Sequence, residues 1–277
     1  MSDRSDKFEQ AIASCIKPGD RLPGTLPLWM EGLGIIPRSE VLSASRIGSK
    51  DKNNKTDVLI KIKNSASLKI SAKLANAHYF GNWYGHQRFL NEFGEDAFKK
   101  QTNAATNWAN NVGMNRKNAE LFVGVSICYG KRGGDTCEPF LDIYTLEDMF
   151  SICRGVGDGD NVANCLYSAE STPKSLNEMI DNLLPIKEES IKQLAGVFKV
   201  IYRPINPITE RSNRSKNVYT MFKPTERLDS PLEVTSLNEL KGLGTFITVK
   251  PNRLNHNRII KILERCYNII IPTKQRK

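Results

Sequence analysis

The stretch KTDVLIKIKNSASLKISAKL, residues 55–74, decides the reading of this chain. Asp57 to Ile62 (DVLIKI) and Ser67 to Leu74 (SLKISAKL) each alternate apolar with polar side chains, the signature of a half-buried strand. The NSA between them is short and polar, so the two strands predict a hairpin. Working outward, residues 5–16 place Phe8, Ile12 and Ile16 at helical spacing, and KPGDRLPGTLP reads as a Pro/Gly loop. Residues 38–46, around Glu40, predict a short helix, and SKDKNNKT a polar turn into the hairpin. Helices are expected over 83–93 and 96–110. Leu121 to Tyr129 and Phe140 to Tyr144 flank KRGGDTCEP, which predicts a second hairpin. Further helices are expected over 177–184, 188–194 and 258–266, and strands over 197–202, 246–249 and 269–271, with another in NVYTMF. Strands and helices are interspersed, so the class is α/β or mixed α+β.

Composition narrows the function classes. The 277 residues carry 40 Lys+Arg against 30 Asp+Glu, a net charge of +10. With 39% hydrophobic and 8% aromatic residues the chain can bury a core, which argues against disorder. No apolar run approaches the roughly 18 residues of a membrane span. The start, MSDRSDKFEQ, leads into no apolar run, so a cytoplasmic protein is expected. The six cysteines form no CxxC pair, and buried free thiols are the expectation. Only His78, His86 and His256 are present, which leaves little room for a histidine-based zinc site. GVGDGD, residues 155–160, lacks both an EF-hand pattern and a phosphate-loop lysine and reads as a tight turn.

The charge is uneven. Residues 1–198 balance 24 basic against 24 acidic side chains, and the whole excess lies in residues 199–277. The expected organisation is therefore a core over 1–198, with the hairpin at 55–74, and a basic portion over 199–277 within the same domain. A basic region beside a neutral body points to a polyanion; a solvated, soluble face is the plainer alternative.

The hairpin carries the strongest chemical pattern. Asp57 opens the first strand after a turn, and Lys73 lies sixteen residues later on the second. Ser71 and Lys73 have the same parity and share a face. Phosphodiester hydrolysis uses such groups. A carboxylate can hold Mg2+, the metal acidifies a bound water, and a neighbouring lysine can position or deprotonate that water.

This arrangement resembles the PD-(D/E)xK nuclease core, in particular that of type II restriction endonucleases. The resemblance runs through Asp57 and Ser71-Ala72-Lys73 and covers about 35 of the 277 residues. It implies a restriction-endonuclease-like central mixed sheet flanked by helices. It implies a Mg2+ ligand in Asp57, water activation by Lys73, and a water contact for Ser71. Glu40 occupies the place of an accessory acid on a preceding helix and could supply a second carboxylate to the metal. The sequence departs from the pattern where Thr56 replaces a proline and Ser71 an acid, so the Ala72 carbonyl and water would complete the metal shell. It further implies sequence-specific cleavage of double-stranded DNA by a homodimer, one active site for each strand of a palindrome.

Three segments fit a DNA partner. After Lys73 comes a run rich in aromatic and amide residues that includes Trp83, His86 and Arg88. Residues 202–224 place Arg203, Arg211, Arg214 and Lys216 among Asn, Ser and Pro. Residues 249–266 place Asn252, Arg253, His256 and Arg258 before and within a helix, whose N-terminus attracts phosphate. Lys131 and Arg132, at the tip of KRGGD, could touch the DNA backbone. A non-catalytic DNA-binding protein and an RNA-processing nuclease are the alternatives.

Overall fold

Val58–Ile62 and Leu68–Leu74 pair antiparallel, with Val58 opposite Ile70 and Ile60 opposite Leu68, as the alternation requires. The structure is a computed structural model and describes residues 3–47, 54–115, 120–132 and 134–274. The chain runs α1 (Asp3–Ser14), α2 (Leu28–Gly32), β1 (Val41–Arg46), β2 (Val58–Ile62), β3 (Leu68–Leu74) and β4 (Tyr79–Gly81). Next come α3 (His86–Asn115), β5 (Val125–Gly130), β6 (Cys137–Pro139), a 3-10 turn at Phe140–Asp142 and α4 (Leu146–Arg154). They are followed by β7 (Cys165–Ala169), α5 (Leu176–Asp181), β8 (Leu183–Pro185), α6 (Glu188–Ala195) and β9 (Lys199–Pro204). The chain closes with β10 (Thr220–Pro224), β11 (Leu232–Glu233), α7 (Leu237–Gly242), β12 (Gly244–Thr248), α8 (His256–Tyr267) and β13 (Ile269–Ile270). This is a mixed α+β protein. No helix among the described residues is long and apolar enough to cross a membrane.

The chain divides into two compact units. The first comprises residues 1–80 and 145–198, the second residues 81–144 and 199–277. One division falls at Phe198, where the charge changes. Residues 81–144 join the basic portion; they hold seven basic and seven acidic side chains, so the second unit carries the entire +10.

The first unit is built on a five-stranded sheet of order β1-β2-β3-β7-β8. β1, β2 and β3 form an antiparallel meander, β7 runs parallel to β3, and β8 returns antiparallel. Phe8 and Ile12 of α1, and Ile16 just beyond it, share one core with Val58, Ile60 and Ile70 of the meander. Each such side chain contributes about 1.5–3 kcal/mol by leaving water. The helix expected over 38–46 is instead the strand β1. A helix of that length is marginal alone, whereas strand pairing from Ser43↔Lys61 to Arg46↔Val58 satisfies the backbone directly. The turn expected at residues 49–56 lies partly outside the described residues.

In the second unit β9 lies between β5 and β6 and pairs antiparallel with both. The second hairpin is therefore absent: β5 and β6 each pair with β9 and not with one another. Val200, Ile201 and Tyr202 are wholly buried, and a strand apolar on both faces takes the central place over a local turn. Phe140 to Tyr144 is correspondingly a 3-10 turn and loop rather than a strand. α3 is broken at Gly94, whose φ of 80° is open to glycine, between the two expected helices. Thr102, Thr106 and Asn110, spaced one turn apart on α3, dock it through hydrogen bonds. Thr102 Oγ1 donates to Tyr219 O at 2.6 Å, Thr106 Oγ1 bonds Thr220 Oγ1 at 3.0 Å, and Asn110 Nδ2 donates to Phe246 O at 3.0 Å. None of the six cysteines is in a disulfide, and of them Cys128, Cys153 and Cys165 are buried.

Candidate active site and nucleic-acid interface

Asp57 lies just before β2, where the carboxylate is free of the pleat. Its Oδ2 accepts from the Ala72 N–H at 2.8 Å and from Lys73 Nζ at 3.1 Å. Lys73 Nζ also donates to the Ala72 carbonyl at 3.1 Å. The expected Asp57–Lys73 pair is therefore formed, about four-fifths buried on both sides. Ser71 shares their segment but is wholly buried, with a hydroxyl that finds no partner among the described residues. A neutral hydroxyl at that depth supplies no charge to the site.

Glu40 is placed elsewhere. β1 runs antiparallel to β2, so Arg46 lies opposite Val58, while the Glu40 carbonyl accepts from the Lys63 N–H at 2.9 Å. Six residues of strand put Glu40 roughly 20 Å from the Asp57 end of the ladder. Its side chain pairs with Lys63 Nζ at 3.7 Å. The sequence predicts an accessory acid on a helix near 40; the strand β1 instead carries Glu40 to the end of the sheet away from Asp57.

A buried carboxylate within electrostatic reach of Asp57 comes from α1. Glu9 is buried, and its Oε2 accepts from Arg46 Nε at 2.8 Å, while Arg46 NH2 reaches Asp6 Oδ1 at 2.5 Å. Burial first, and the Asp57 charge second, hold the Glu9 carboxyl above the ordinary carboxylate range; Arg46 and Lys73 pull it back. Asp57 Oδ2 and the Ala72 carbonyl converge on one positive nitrogen, and both are oxygen donors of the kind Mg2+ prefers. No group of three or more His, Cys, Asp or Glu side chains among the described residues is placed to hold a metal by itself. Backbone carbonyl and water would complete such a shell. Sequence reasoning missed Glu9, although a signal was there. Glu9, Ile12 and Ala13 stand at i, i+3 and i+4, which puts an acid in the buried stripe of α1.

In the second unit several expected DNA contacts are internal. His86 is buried. Its Nδ1 accepts from the Asn252 N–H at 3.0 Å, which leaves Nε2–H to donate to Val218 O at 2.7 Å, and burial lowers its pKa. His256 is also buried, with Nε2 bonded to Ser126 Oγ at 3.0 Å and its pKa pushed down by burial to about 3. Neither imidazole can reach DNA. Arg88 stacks on the Tyr84 ring at 3.9 Å and donates to Glu92 Oε2 at 3.2 Å. Arg214 donates to the carbonyls of Pro207 at 3.2 Å and Lys274 at 3.4 Å. The N-terminus of α8 is occupied too: Arg258 N–H is capped by Asn255 Oδ1 at 3.0 Å, and Asn257 N–H goes to Arg214 O at 3.1 Å. Arg211, Asn252, Arg253 and Arg258 are exposed, and Arg203 and Lys216 are half-buried.

Arg203 and Lys216 meet at Trp83. The Arg203 guanidinium lies 4.5 Å from the indole centroid and Lys216 Nζ 5.9 Å. Trp83 has φ 47°, a conformation that costs a bulky residue about 1–3 kcal/mol. Cys128 pins it: the Trp83 N–H donates to Sγ at 3.3 Å, and the thiol donates to Asn82 Oδ1 at 3.3 Å. Burial pushes the Cys128 thiol up to about 11, while Arg203, Arg132 and Lys216 draw it back.

No protein-family model matches the chain, and neither a curated protein nor a solved structure matches it.

Proposed function

We propose that the chain is a Mg2+-dependent endonuclease that cuts double-stranded DNA at specific sites, in the manner of a type II restriction enzyme. The observation that carries the reading is the joint hold of Asp57 Oδ2 and the Ala72 carbonyl on Lys73 Nζ, at 3.1 Å each. The buried Glu9 carboxyl within electrostatic reach of Asp57 adds to it. The mixed five-stranded sheet, with its β1-β2-β3 meander and parallel β7, suits a restriction-endonuclease-like core. The +10 gathered in the second unit suits a polyanionic substrate.

In this reading Asp57, Glu9 and the Ala72 carbonyl hold the cation, which when bound acidifies water and neutralises phosphate charge. The Ala72 N–H fixes the orientation of Asp57. Arg46 keeps Glu9 aimed and ionisable in a buried position. Lys73 orients the attacking water and donates a hydrogen bond toward the charge that builds on the phosphate. A cytoplasmic homodimer would cut both strands of a palindrome.

The test is supercoiled plasmid of mixed sequence incubated with Mg2+ or with EDTA. Discrete linear fragments with Mg2+ alone are expected. Binding without cleavage would favour the non-catalytic DNA-binding reading, and cleavage of RNA in preference to DNA would favour the RNA-processing one.

A further inference from the structure

We propose that the Trp83–Arg203–Lys216 cluster of the second unit is a built site for the phosphodiester backbone of duplex DNA, with Arg203 as the contacting donor and Trp83 as the ring that positions it.

Three observations support the site independently of the hairpin in the first unit. The first is convergence. Trp83 follows β4, Arg203 is on β9 and Lys216 is in the segment before β10, so three separate stretches meet at one ring. A solvated basic face has no need to gather its charges on an aromatic. The second is backbone strain. Trp83 is held at φ 47° by the Cys128 thiol, which takes its N–H, and a strained bulky residue persists where its surroundings enforce it. The third is electrostatic. Arg132, just after β5, acts on Cys128 together with Arg203 and Lys216, so a third cation adds to the positive field.

The stack decides the ligand. Arg203 covers one face of the indole, which closes that face to a nucleobase and assigns the ring to the guanidinium. A planar guanidinium held against a ring is pre-organised for the paired hydrogen bonds that phosphate oxygens accept. Fixed cations on a strand and its neighbouring segments suit the regular spacing of a duplex backbone better than a flexible single strand. The inference rests on duplex DNA as the partner but not on catalysis.

The experiment is binding of the whole chain to a fluorescein-labelled 20-base-pair duplex in EDTA, followed by anisotropy from low to moderate salt, with wild type, Arg203→Ala, Arg203→Lys and Trp83→Leu. Arg203→Ala should weaken binding about 5- to 20-fold and lower the slope of log K against log salt by about 1. Arg203→Lys keeps the charge and the fold; it should keep the slope but still lose several-fold in affinity, because an ammonium neither stacks nor forks. Trp83→Leu should behave like Arg203→Lys. Wild-type affinity and slope in both Arg203 variants would overturn the site, as would a loss confined to a single-stranded probe. A wild-type chain that fails to bind duplex at all would sink the DNA reading itself, which separates the two failures.

Discussion

Arg46 Nε donates to Glu9 Oε2 at 2.8 Å, and the Asp57 charge acts on both members of that pair. The relationship joins α1 to the end of β1 opposite Val58 and leaves the buried Glu9 carboxylate within electrostatic reach of Asp57. It also gives the first test. Glu9→Gln should reduce Mg2+-dependent cleavage about 10- to 100-fold and weaken Mg2+ binding, since a neutral amide removes one ligand charge. Glu40→Gln should leave cleavage within about two-fold, as expected of a half-buried side chain far from the site. Cleavage rates against Mg2+ concentration separate the two.

Buried neutral histidines set a pH dependence. The folded pKa of His256 is depressed to about 3 and that of His86 is lowered, both by burial. The unfolded chain therefore binds these protons first. Their contribution is complete above the ordinary histidine pKa of about 6.5 and is lost as pH falls below it. His256 alone should remove about 2 kcal/mol of stability between pH 7 and pH 5, before ordinary carboxylates titrate. Urea unfolding at the two pH values measures this, and a flat profile would contradict the burial of both rings.

Two arginines three residues apart should respond differently. Arg214 binds the Pro207 and Lys274 carbonyls, so Arg214→Ala should cost about 1–2 kcal/mol of stability by freeing those groups. Arg211 is exposed. Arg211→Ala should leave the melting temperature unchanged and lower the salt slope of DNA binding by about 1. Thermal melts paired with anisotropy titrations distinguish them.

The α1 packing can be checked by truncation. Ile12 is wholly buried, and Ile12→Ala should destabilise by about 2–5 kcal/mol. Leu42 on β1 is half exposed, and Leu42→Ala should cost no more than about 0.5 kcal/mol. Chemical denaturation of both variants gives the comparison.

What the sequence reveals is what is local. The hairpin at 55–74 follows from alternation within twenty residues, and the Asp57–Lys73 pair follows from that hairpin. The break of α3 at Gly94 and the helix α8 are legible for the same reason. What is hidden depends on distant partners. β1 is a strand because β2 is there to pair with it, and that choice moves Glu40 away from Asp57 while bringing Arg46 in. β9 separates β5 from β6 only because a segment some sixty residues later is apolar on both faces. His86 and His256 look like surface readers of DNA in a polar stretch, but Val218 and Ser126, both more than a hundred residues away in sequence, supply their bonds. Trp83 and Arg203 likewise lie 120 positions apart, and no spacing rule joins them.

The most direct measurement of the central claim is the single-turnover rate of DNA cleavage with saturating Mg2+ for wild type, Asp57→Ala and Lys73→Ala. Wild type should cut, and each variant should be slower by at least about 100-fold with duplex binding in EDTA unchanged. Variants that cut at the wild-type rate would contradict the assignment of this hairpin as the active site.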